Sequence, residues 1–208
     1  MRHVHEIENV FLNGHGNLEV ICGPMFSGKT EELIRRIRRV EYAKLRAIVF
    51  KPRIDSRFSK DLVVSHSDQK IQSIPVADAS SIRACLEEMN CKFHVVGLDE
   101  VQFFDEGVVA LCEELVNSGV RVIAAGLCED YLGEPFGPMP RLLAHADTVS
   151  KLWAICMNCG RPASKTQRVA KAASTPSVEQ VFVSGGQHYQ ARCRACHQKK
   201  VLRISAEE

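Results

Sequence analysis

The feature that most constrains this chain is a glycine motif near its amino terminus, Gly-Pro-Met-Phe-Ser-Gly-Lys-Thr at 23–30. It follows the apolar run 18–22 and precedes 30–47, where apolar residues recur at helical spacing. A strand, a glycine loop and a helix in this order form a phosphate-binding loop, in which backbone N–H groups surround phosphate oxygens at the positive end of the helix. The motif therefore predicts that the chain binds a nucleoside triphosphate. The alternative is an ordinary glycine turn before a helix.

Individual residues of this loop have separate predicted roles. Gly23 and Gly28 let the backbone turn so that its N–H groups face a phosphate. Lys29 places an ammonium charge near the β and γ phosphates, and the hydroxyl of Thr30 is positioned to hold Mg²⁺. We also assign Ser27 to the nucleotide-binding set. ATP and Mg²⁺ are therefore the predicted cofactors.

Two consecutive acidic residues, Asp99 and Glu100, follow the apolar run 94–98. At the end of a buried strand, the first carboxylate can hold Mg²⁺ together with Thr30. The second carboxylate can then accept a proton from a nucleophile. Many ATPases use such a residue to polarise water, whereas a small-molecule kinase uses it on a substrate hydroxyl, and the pair alone leaves both open. Two acids that simply begin a loop are the alternative.

Apolar patterning predicts that strands alternate with helices through the first 150 residues, which indicates an α/β fold with a mostly parallel sheet flanked by helices. The predicted strands are 18–22, 47–50, 71–76, 94–98 and 120–127, and the predicted helices are 30–47, 80–90 with Ser80 as N-cap, and 106–117. The proline- and glycine-rich stretch 127–140 reads as a loop. Since ligands lie outside the carboxyl ends of parallel strands, we expect the phosphate loop, Asp99 and 127–136 on one rim.

Composition sets the broad class. A chain of 208 residues with 45% apolar residues suits one α/β domain plus a small second unit. We predict a flexible leader at 1–16, a nucleotide-binding domain at 17–150 and a zinc-binding domain with a substrate lid at 151–208. The net charge of +2 is near balance and gives no indication of nucleic acid or a membrane as partner, so we predict neither. Nine cysteines without a secretion signal indicate a reducing compartment, so we predict a cytoplasmic protein.

Four of those cysteines form two C-x-x-C pairs, Cys156 with Cys159 and Cys193 with Cys196. Two such pairs supply the four thiolates of a structural zinc site, although the intervening segment is longer than the about 15–20 residues of a compact ribbon. Zinc would therefore fix the base of a long lid, which can cover a substrate and exclude water. Alternatives are His197 in place of one cysteine, free thiols, and a haem attachment motif that would leave the first pair unexplained. The other five cysteines read as small core residues.

Taken together, these motifs closely resemble those of the cellular, type II thymidine kinase family, over about 16–200. The matching strings are Gly-Pro-Met-Phe-Ser-Gly-Lys-Thr-Glu-Glu-Leu at 23–33, Lys-Pro-x-x-Asp-x-Arg at 51–57, Asp-Glu-x-Gln-Phe-Phe at 99–104, Glu-Pro-Phe-Gly-Pro-Met-Pro at 134–140, Cys-x-x-Cys-Gly at 156–160 and Gly-Gly-x-x-Tyr-x-x-x-Cys-Arg-x-Cys at 185–196.

The resemblance implies a P-loop kinase-like fold and transfer of the γ-phosphoryl of ATP to the 5′-hydroxyl of thymidine, in pyrimidine deoxynucleotide salvage. It implies Glu100 as the general base, Asp99 with Thr30 at magnesium, and Asp55 near the metal. Lys29 and Arg57 would offset charge on the transferring group.

The resemblance also assigns the nucleoside pocket and the assembly. Four residues would form walls of the base pocket: Met25, Phe103, Leu127 and Tyr131. Three positions fall in the family's lid: Thr166, Val181 within 181–183, and Tyr189. It further implies a homotetramer with feedback by thymidine triphosphate, and leaves deoxyuridine as a second acceptor.

The chain departs from the family's pattern at three positions near the rim. Cys128 stands where the family often has Asp, Val101 where a Gly is common, and Tyr131 where Phe is frequent. These changes bear on substrate preference more than on the reaction. Two other classes share the loop, the acidic pair and the cysteines: a zinc-containing P-loop ATPase acting on nucleic acid, and a zinc-bearing module that senses nucleotide. The small length and weak charge disfavour the first, and the second would not require Glu100.

Overall fold

A six-stranded sheet, in which every pair of neighbours is parallel, organises the first part of the chain. The computed structural model describes residues 15–53, 62–64, 70–171 and 188–204. The strands of this sheet are β1 (Asn17–Cys22), β2 (Ala47–Pro52), β5 (Ile74–Val76), β6 (Val95–Leu98), β7 (Arg121–Gly126) and β8 (Thr148–Lys151). Their spatial order is β5-β2-β6-β7-β1-β8. The predicted α/β class with a parallel sheet is confirmed.

Helices cover both faces of this sheet because alternate strand residues point to opposite sides. The helices are α1 (Lys29–Tyr42), α2 (Ala79–Glu88), α3 (Gly107–Asn117) and α4 (Met139–His145). Ile21 of β1 packs with Leu33 and Ile37 of α1, whereas Val20 and Cys22 belong to the larger core cluster under the other helices. Fully buried strands account for the near-continuous apolar runs that the sequence shows.

Helix boundaries differ from the predicted ones at three places. The first helix ends at Tyr42, because Lys44 adopts a left-handed conformation (φ 58°) and Ala47 already begins β2. The second helix is capped by Asp78, not Ser80, since the Asp78 carboxylate accepts the backbone N–H of Ser81 at 2.8 Å. Helix α4 was not predicted, and it places Pro140 in a first helical turn, where proline is tolerated.

The predicted strand at 71–76 is two short strands. One is β5, and the other is β4 (Lys70–Gln72), which pairs antiparallel with β3 (Leu62–Val64). Ser73, which is buried, separates them. Only the second half of the predicted strand 71–76, namely β5, therefore belongs to the main sheet.

The carboxyl-terminal part forms a small module of short strands. They are β9 (Ala154–Ile155), β10 (Pro162–Ala163), β11 (Lys165–Lys171), β12 (Tyr189–Arg192) and β13 (Leu202–Ile204). β11 lies between β12 and β13. The buried cluster around Cys156 and Cys193 contains only alanine and cysteine side chains, and Val169 of β11 is a further buried apolar residue, so little apolar surface holds the module together. The predicted division of domains at 150 stays a prediction, and β8 runs to Lys151.

Within the described part of the chain, none of the helices combines the length and the apolar character needed to cross a membrane.

Candidate functional site

The loop between β1 and α1 has the backbone geometry that its glycines predict. Gly23 has φ 154°, and a Cβ atom there would lie 2.6 Å from the Leu152 carbonyl oxygen and 2.7 Å from Ser27 Oγ. Gly28 has φ 82° and directly precedes α1. Any side chain at 23 would collide with backbone, so glycine is required there. The strand–loop–helix arrangement predicted around the motif is present.

Hydrogen bonds within the loop converge on one carbonyl. Ser27 Oγ and Lys29 Nζ donate to the Pro24 carbonyl at 2.8 and 2.9 Å. Lys29 is only 9% exposed, so its ammonium is held against the loop backbone. Thr30 occupies the first turn of α1, where N–H groups lack intrahelical partners and favour an anion.

A cleft of about 580 Å³ opens beside this loop. Ser27 and Gly28 of the loop line it, and helix α1 lines it with Glu31, Glu32, Arg35, Arg38 and Arg39. Its volume lies in the range of small-molecule sites. The cleft is therefore of mixed charge, and Arg35 is paired with Glu32 at 2.6 Å.

The acidic pair lies at the carboxyl end of β6, next to β2 and β7 in the sheet. Asp99 is 5% exposed, and its N–H donates to the Phe50 carbonyl at 2.9 Å. Glu100 has left-handed backbone angles, φ 47° and ψ 42°. Such a conformation costs a non-glycine residue free energy and is found preferentially at functional sites.

Gln102 holds the Glu100 side chain in place. Its Nε2 donates to Glu100 Oε2 at 2.6 Å, and its Oε1 accepts the Leu127 N–H at 3.0 Å. Gln102 lies in a 3₁₀ turn, Val101–Phe103, directly after the acidic pair. One amide therefore connects the predicted general base to the segment after β7.

Aromatic and apolar residues border this segment. Phe103 and Phe136 contact each other edge to face, with ring centroids 5.5 Å apart, and Leu127 is half-buried after β7. The stretch from Glu129 to Pro135 is a tight hairpin, because these two residues form a bridge. Buried Asp130 stabilises it by accepting the N–H groups of Leu132 and Glu134 at 2.8 and 3.0 Å. The predicted loop is thus locally ordered before α4 begins.

The carboxyl-terminal module packs against this hairpin and the phosphate loop. The guanidinium of buried Arg168 lies 5.4 Å from the centroid of the Tyr131 ring, which is also buried. His197 Nε2 hydrogen-bonds the Tyr131 carbonyl at 2.9 Å. The Thr166 hydroxyl accepts the Met25 N–H at 3.0 Å.

Two ion pairs add to this contact, Lys165 with Glu129 and Lys199 with Glu134. Tyr189 lies on β12 beside Arg168 in register. The module therefore contacts both the phosphate loop and the predicted nucleoside pocket.

All four predicted zinc ligands come together. Their sulfur atoms lie within 4.8 Å of one another, and Cys159 Sγ is 3.7 Å from Cys193 Sγ. Tetrahedral zinc with Zn–S bonds of about 2.3 Å requires sulfur atoms about 3.8 Å apart, so the donor set fits zinc. The spatial arrangement favours four cysteines over His197 as a ligand, because His197 is engaged with Tyr131.

The surroundings of two of the four sulfur atoms, those of Cys156 and Cys159, favour the thiolate. Burial alone would raise the pKa of Cys156, but backbone N–H groups of Cys193, Asn158 and Cys159 donate to its sulfur and lower the pKa to about 6. The Arg161 side chain donates to Cys159 Sγ at 3.4 Å and lowers the pKa of that thiol. Metal coordination requires the deprotonated form.

Three predicted site positions, Asp55, Arg57 and Val181, lie outside the described residues. Two residues that contact the site were not assigned a role from the sequence, Gln102 and Arg168. Gln102 stands inside the Asp-Glu-x-Gln string, which was a signal for it. No sequence signal indicated a role for Arg168, because its partner Tyr131 is distant in sequence.

A family model described as "Thymidine kinase" matches residues 16–197. The chain belongs to the thymidine kinase family. This confirms the resemblance inferred from the motifs. The match includes the phosphate loop, the acidic pair and all four clustered cysteines.

Two solved structures show more distant similarity to this thymidine kinase family member. One is the Legionella pneumophila ATPase DotB, with 16% identity and a TM-score of 0.41 over 68% of this chain and 37% of that one. The other is domain III of the Thermotoga maritima replication initiation protein DnaA, with 17% identity and a TM-score of 0.42 over 71% of this chain and 60% of that one. The chain thus spans less than two thirds of the length of either structure.

Proposed function

We propose that this protein is a thymidine kinase that transfers the γ-phosphoryl group of ATP to the 5′-hydroxyl of thymidine and forms thymidine monophosphate. The observation that carries the proposal is Glu100, a carboxylate held by Gln102 at the carboxyl edge of the sheet that also carries the phosphate loop. Family membership supports a nucleoside kinase. Deoxyuridine is proposed as a second acceptor.

The phosphate loop would bind the triphosphate of ATP. Backbone N–H groups at the start of α1 would contact phosphate oxygens, and Lys29 would move its ammonium from the Pro24 carbonyl to the β and γ phosphates. Thr30, Asp99 and Asp55 would hold Mg²⁺, an oxygen-donor set that this ion prefers. When bound, Mg²⁺ neutralises charge that develops on the phosphates.

Glu100 would accept the proton of the thymidine 5′-hydroxyl as this oxygen attacks the γ phosphorus. A general base of this kind contributes about 10²–10⁴-fold to the rate. The hydrogen bond from Gln102 to Glu100 Oε2 fixes the orientation of this carboxylate. Arg57 would offset charge on the transferring group.

The thymine base would lie among Phe103, Leu127, Tyr131 and Met25. A flat apolar slot suits a pyrimidine ring and its methyl group. Contacts of the carboxyl-terminal module support a lid role for Thr166, which already reaches the phosphate loop through Met25. Val181 and Tyr189 are proposed to complete this lid.

Zinc is proposed to fix the base of the lid. The buried cluster around the cysteines has only alanine and cysteine side chains, and a module of this kind takes much of its folding free energy from metal. A homotetramer and feedback by thymidine triphosphate are further proposals, which rest on the family resemblance alone.

The test is formation of thymidine monophosphate from ATP, Mg²⁺ and thymidine, with deoxyuridine assayed in parallel. We expect ADP release to depend on the nucleoside. Glu100→Gln should lower turnover about 10²–10⁴-fold while ATP binding persists. Glu106→Gln is the matched control, because Glu106 is exposed and pairs only loosely with Arg141 at 3.2 Å.

Two results would contradict the proposal. A rate of ADP release that does not depend on thymidine would indicate an ATPase instead. Turnover of Glu100→Gln equal to that of Glu106→Gln would remove Glu100 from the role of base.

A further inference from the structure

Two cysteines outside the metal cluster meet at the carboxyl edge of the main sheet. Cys22 ends β1, where the sheet register places it between Gly126 of β7 and Lys151 of β8. Cys128 follows Gly126 by two positions and packs against the core cluster that contains Cys22. Cys128 is thus two positions beyond the register partner of Cys22 and contacts the same core cluster, so the two thiols face the same side of the sheet. Both sulfurs therefore lie at the rim that carries the phosphate loop.

The two thiols differ in exposure and in pKa, and this difference indicates which of them reacts first. Cys22 is 0% exposed, whereas Cys128 is only partly buried. The neighbouring Cys22 thiol and the ammonium of Lys151 lower the pKa of Cys128, against opposing effects of burial and Glu129. The same pairing raises the pKa of Cys22. The accessible sulfur is thus the nucleophile and the buried one its neighbour.

We propose that Cys128 and Cys22 form a peroxide-sensitive thiol pair that oxidises to an intramolecular disulfide. The Cys128 thiolate attacks one oxygen of hydrogen peroxide, the O–O bond breaks, and hydroxide leaves a sulfenic acid on Cys128. The Cys22 sulfur then attacks the Cys128 sulfur, and the sulfenic hydroxyl leaves with the Cys22 proton as water. Two thiols lose two electrons in total, and one peroxide accepts them.

The disulfide would constrain two parts of the site at once. Cys22 directly precedes Gly23, the first residue of the phosphate loop, and Cys128 directly follows Leu127. The Cys128 carbonyl also accepts the N–H of Phe136, which packs on Phe103. Displacement of about 1 Å at a catalytic site can reduce the rate on the order of a hundredfold, so oxidation should lower turnover; this consequence alone rests on the proposed function.

The sequence makes the cross-link easy to identify. Trypsin releases Cys22 in the peptide 3–29 and Cys128 in the peptide 122–141, and neither peptide contains another cysteine. The zinc-loaded full chain is treated with hydrogen peroxide, alkylated, digested and analysed by mass spectrometry. We expect the linked pair of these peptides as the main oxidation product, reversible by dithiothreitol.

Two variants control the experiment. Cys128→Ser should abolish the link and leave Cys22 open to alkylation after unfolding, whereas Cys112→Ser, a change at another buried cysteine, should keep the link. Unlinked peptides in the oxidised wild type, or oxidation of Cys128 to a sulfinic acid instead of a disulfide, would overturn the proposal.

Activity is measured on the same samples. We expect turnover to fall about tenfold or more in the linked protein and to recover with dithiothreitol, at unchanged zinc content. Unchanged turnover in fully linked protein would overturn the functional consequence. If the protein forms no thymidine monophosphate even when reduced, the proposed function is wrong. The presence or absence of the linked peptides still tests the proposed disulfide in that case.

Discussion

Gln102 donates its side-chain amide to the Glu100 carboxylate at 2.6 Å while its own carbonyl oxygen accepts the backbone N–H of Leu127 at 3.0 Å. Gln102 is 2% exposed, so these bonds form away from bulk water. Gly126 makes the arrangement possible, because a Cβ atom there would lie 2.6 Å from Gln102 Oε1. The side chain of Gln102 therefore couples the proposed general base, Glu100, to the proposed thymine pocket at Leu127.

We predict that Gln102→Glu lowers kcat while Gln102→Met lowers kcat and raises the KM for thymidine. The glutamate keeps an acceptor for the Leu127 N–H but faces Glu100 with a like charge, whereas methionine removes both hydrogen bonds. A hydrogen bond to a charged group contributes about 1.5–3 kcal/mol, or roughly 10- to 150-fold in rate. Steady-state kinetics against pH check this, because the acidic limb of the kcat profile should shift in Gln102→Glu and a merely structural defect would not move it. Equal kinetic constants for both variants and wild type would contradict the coupling.

We predict that Thr166→Val raises the KM for substrates with little change in kcat. The substitution keeps the shape of the side chain but removes the acceptor for the Met25 N–H, and one such bond contributes about 1 kcal/mol, or roughly fivefold in affinity. Thr166→Ser retains the hydroxyl and serves as the control. Binding isotherms for ATP and thymidine would show the effect, and a Thr166→Val protein that binds both like Thr166→Ser would argue against a link between module and loop.

Much of the fold followed from the sequence because its signals are local. Buried parallel strands appear as continuous apolar runs, and the phosphate loop and both cysteine pairs are defined by spacing within a few residues. The cap at Asp78 and helix α4 were missed. Asp78 and Ser80 are both good caps, and only the bond to the Ser81 N–H distinguishes them.

The parts of the site that were not predicted depend on contacts between distant residues. Arg168 and Tyr131 meet only after the carboxyl-terminal module has packed on the 129–135 hairpin. The proximity of Cys22 and Cys128 likewise arises from the register of β1 with β7, and the sequence suggested only two core thiols. No periodicity in a single segment reports such contacts.

We predict that Cys156→Ser loses bound metal and unfolds the carboxyl-terminal module, while the main sheet stays folded. The buried core around Cys156 contains only alanine and cysteine side chains, and structural zinc contributes on the order of 10 kcal/mol to small zinc-binding peptides. Hydrogen exchange should become fast in β11 and β12. Metal content and exchange are compared with Cys91→Ser, which changes a cysteine outside the cluster. A Cys156→Ser protein with full metal content and slow exchange would show that the ligand set is wrong.

A buried carboxylate, Glu19, joins three elements at the start of the sheet. Its oxygens accept hydrogen bonds from Arg36 of α1 and Arg121 of β7, both at 2.6 Å, and Arg36 also donates to Ser150 of β8. Burial alone would raise the pKa of Glu19, but Arg121 and Arg36 outweigh it and lower the pKa below its usual 4.5. The ionised form is therefore the one that stabilises the fold.

We predict that Glu19→Gln lowers the free energy of unfolding by about 3 kcal/mol at neutral pH, because it removes the buried carboxylate that pairs with both Arg36 and Arg121. Since the native pKa lies below the unfolded one, the stabilisation is complete above pH 4.5 and is lost as the pH falls through the lowered native value. Urea unfolding between pH 7 and pH 3 measures this, and the difference between wild type and variant should narrow at the acidic end. The control is Glu114→Gln, which breaks the exposed pair with Arg83 and should cost less than about 1 kcal/mol. Similar losses in the two variants would show that the Glu19 network stabilises the protein no more than a surface ion pair does.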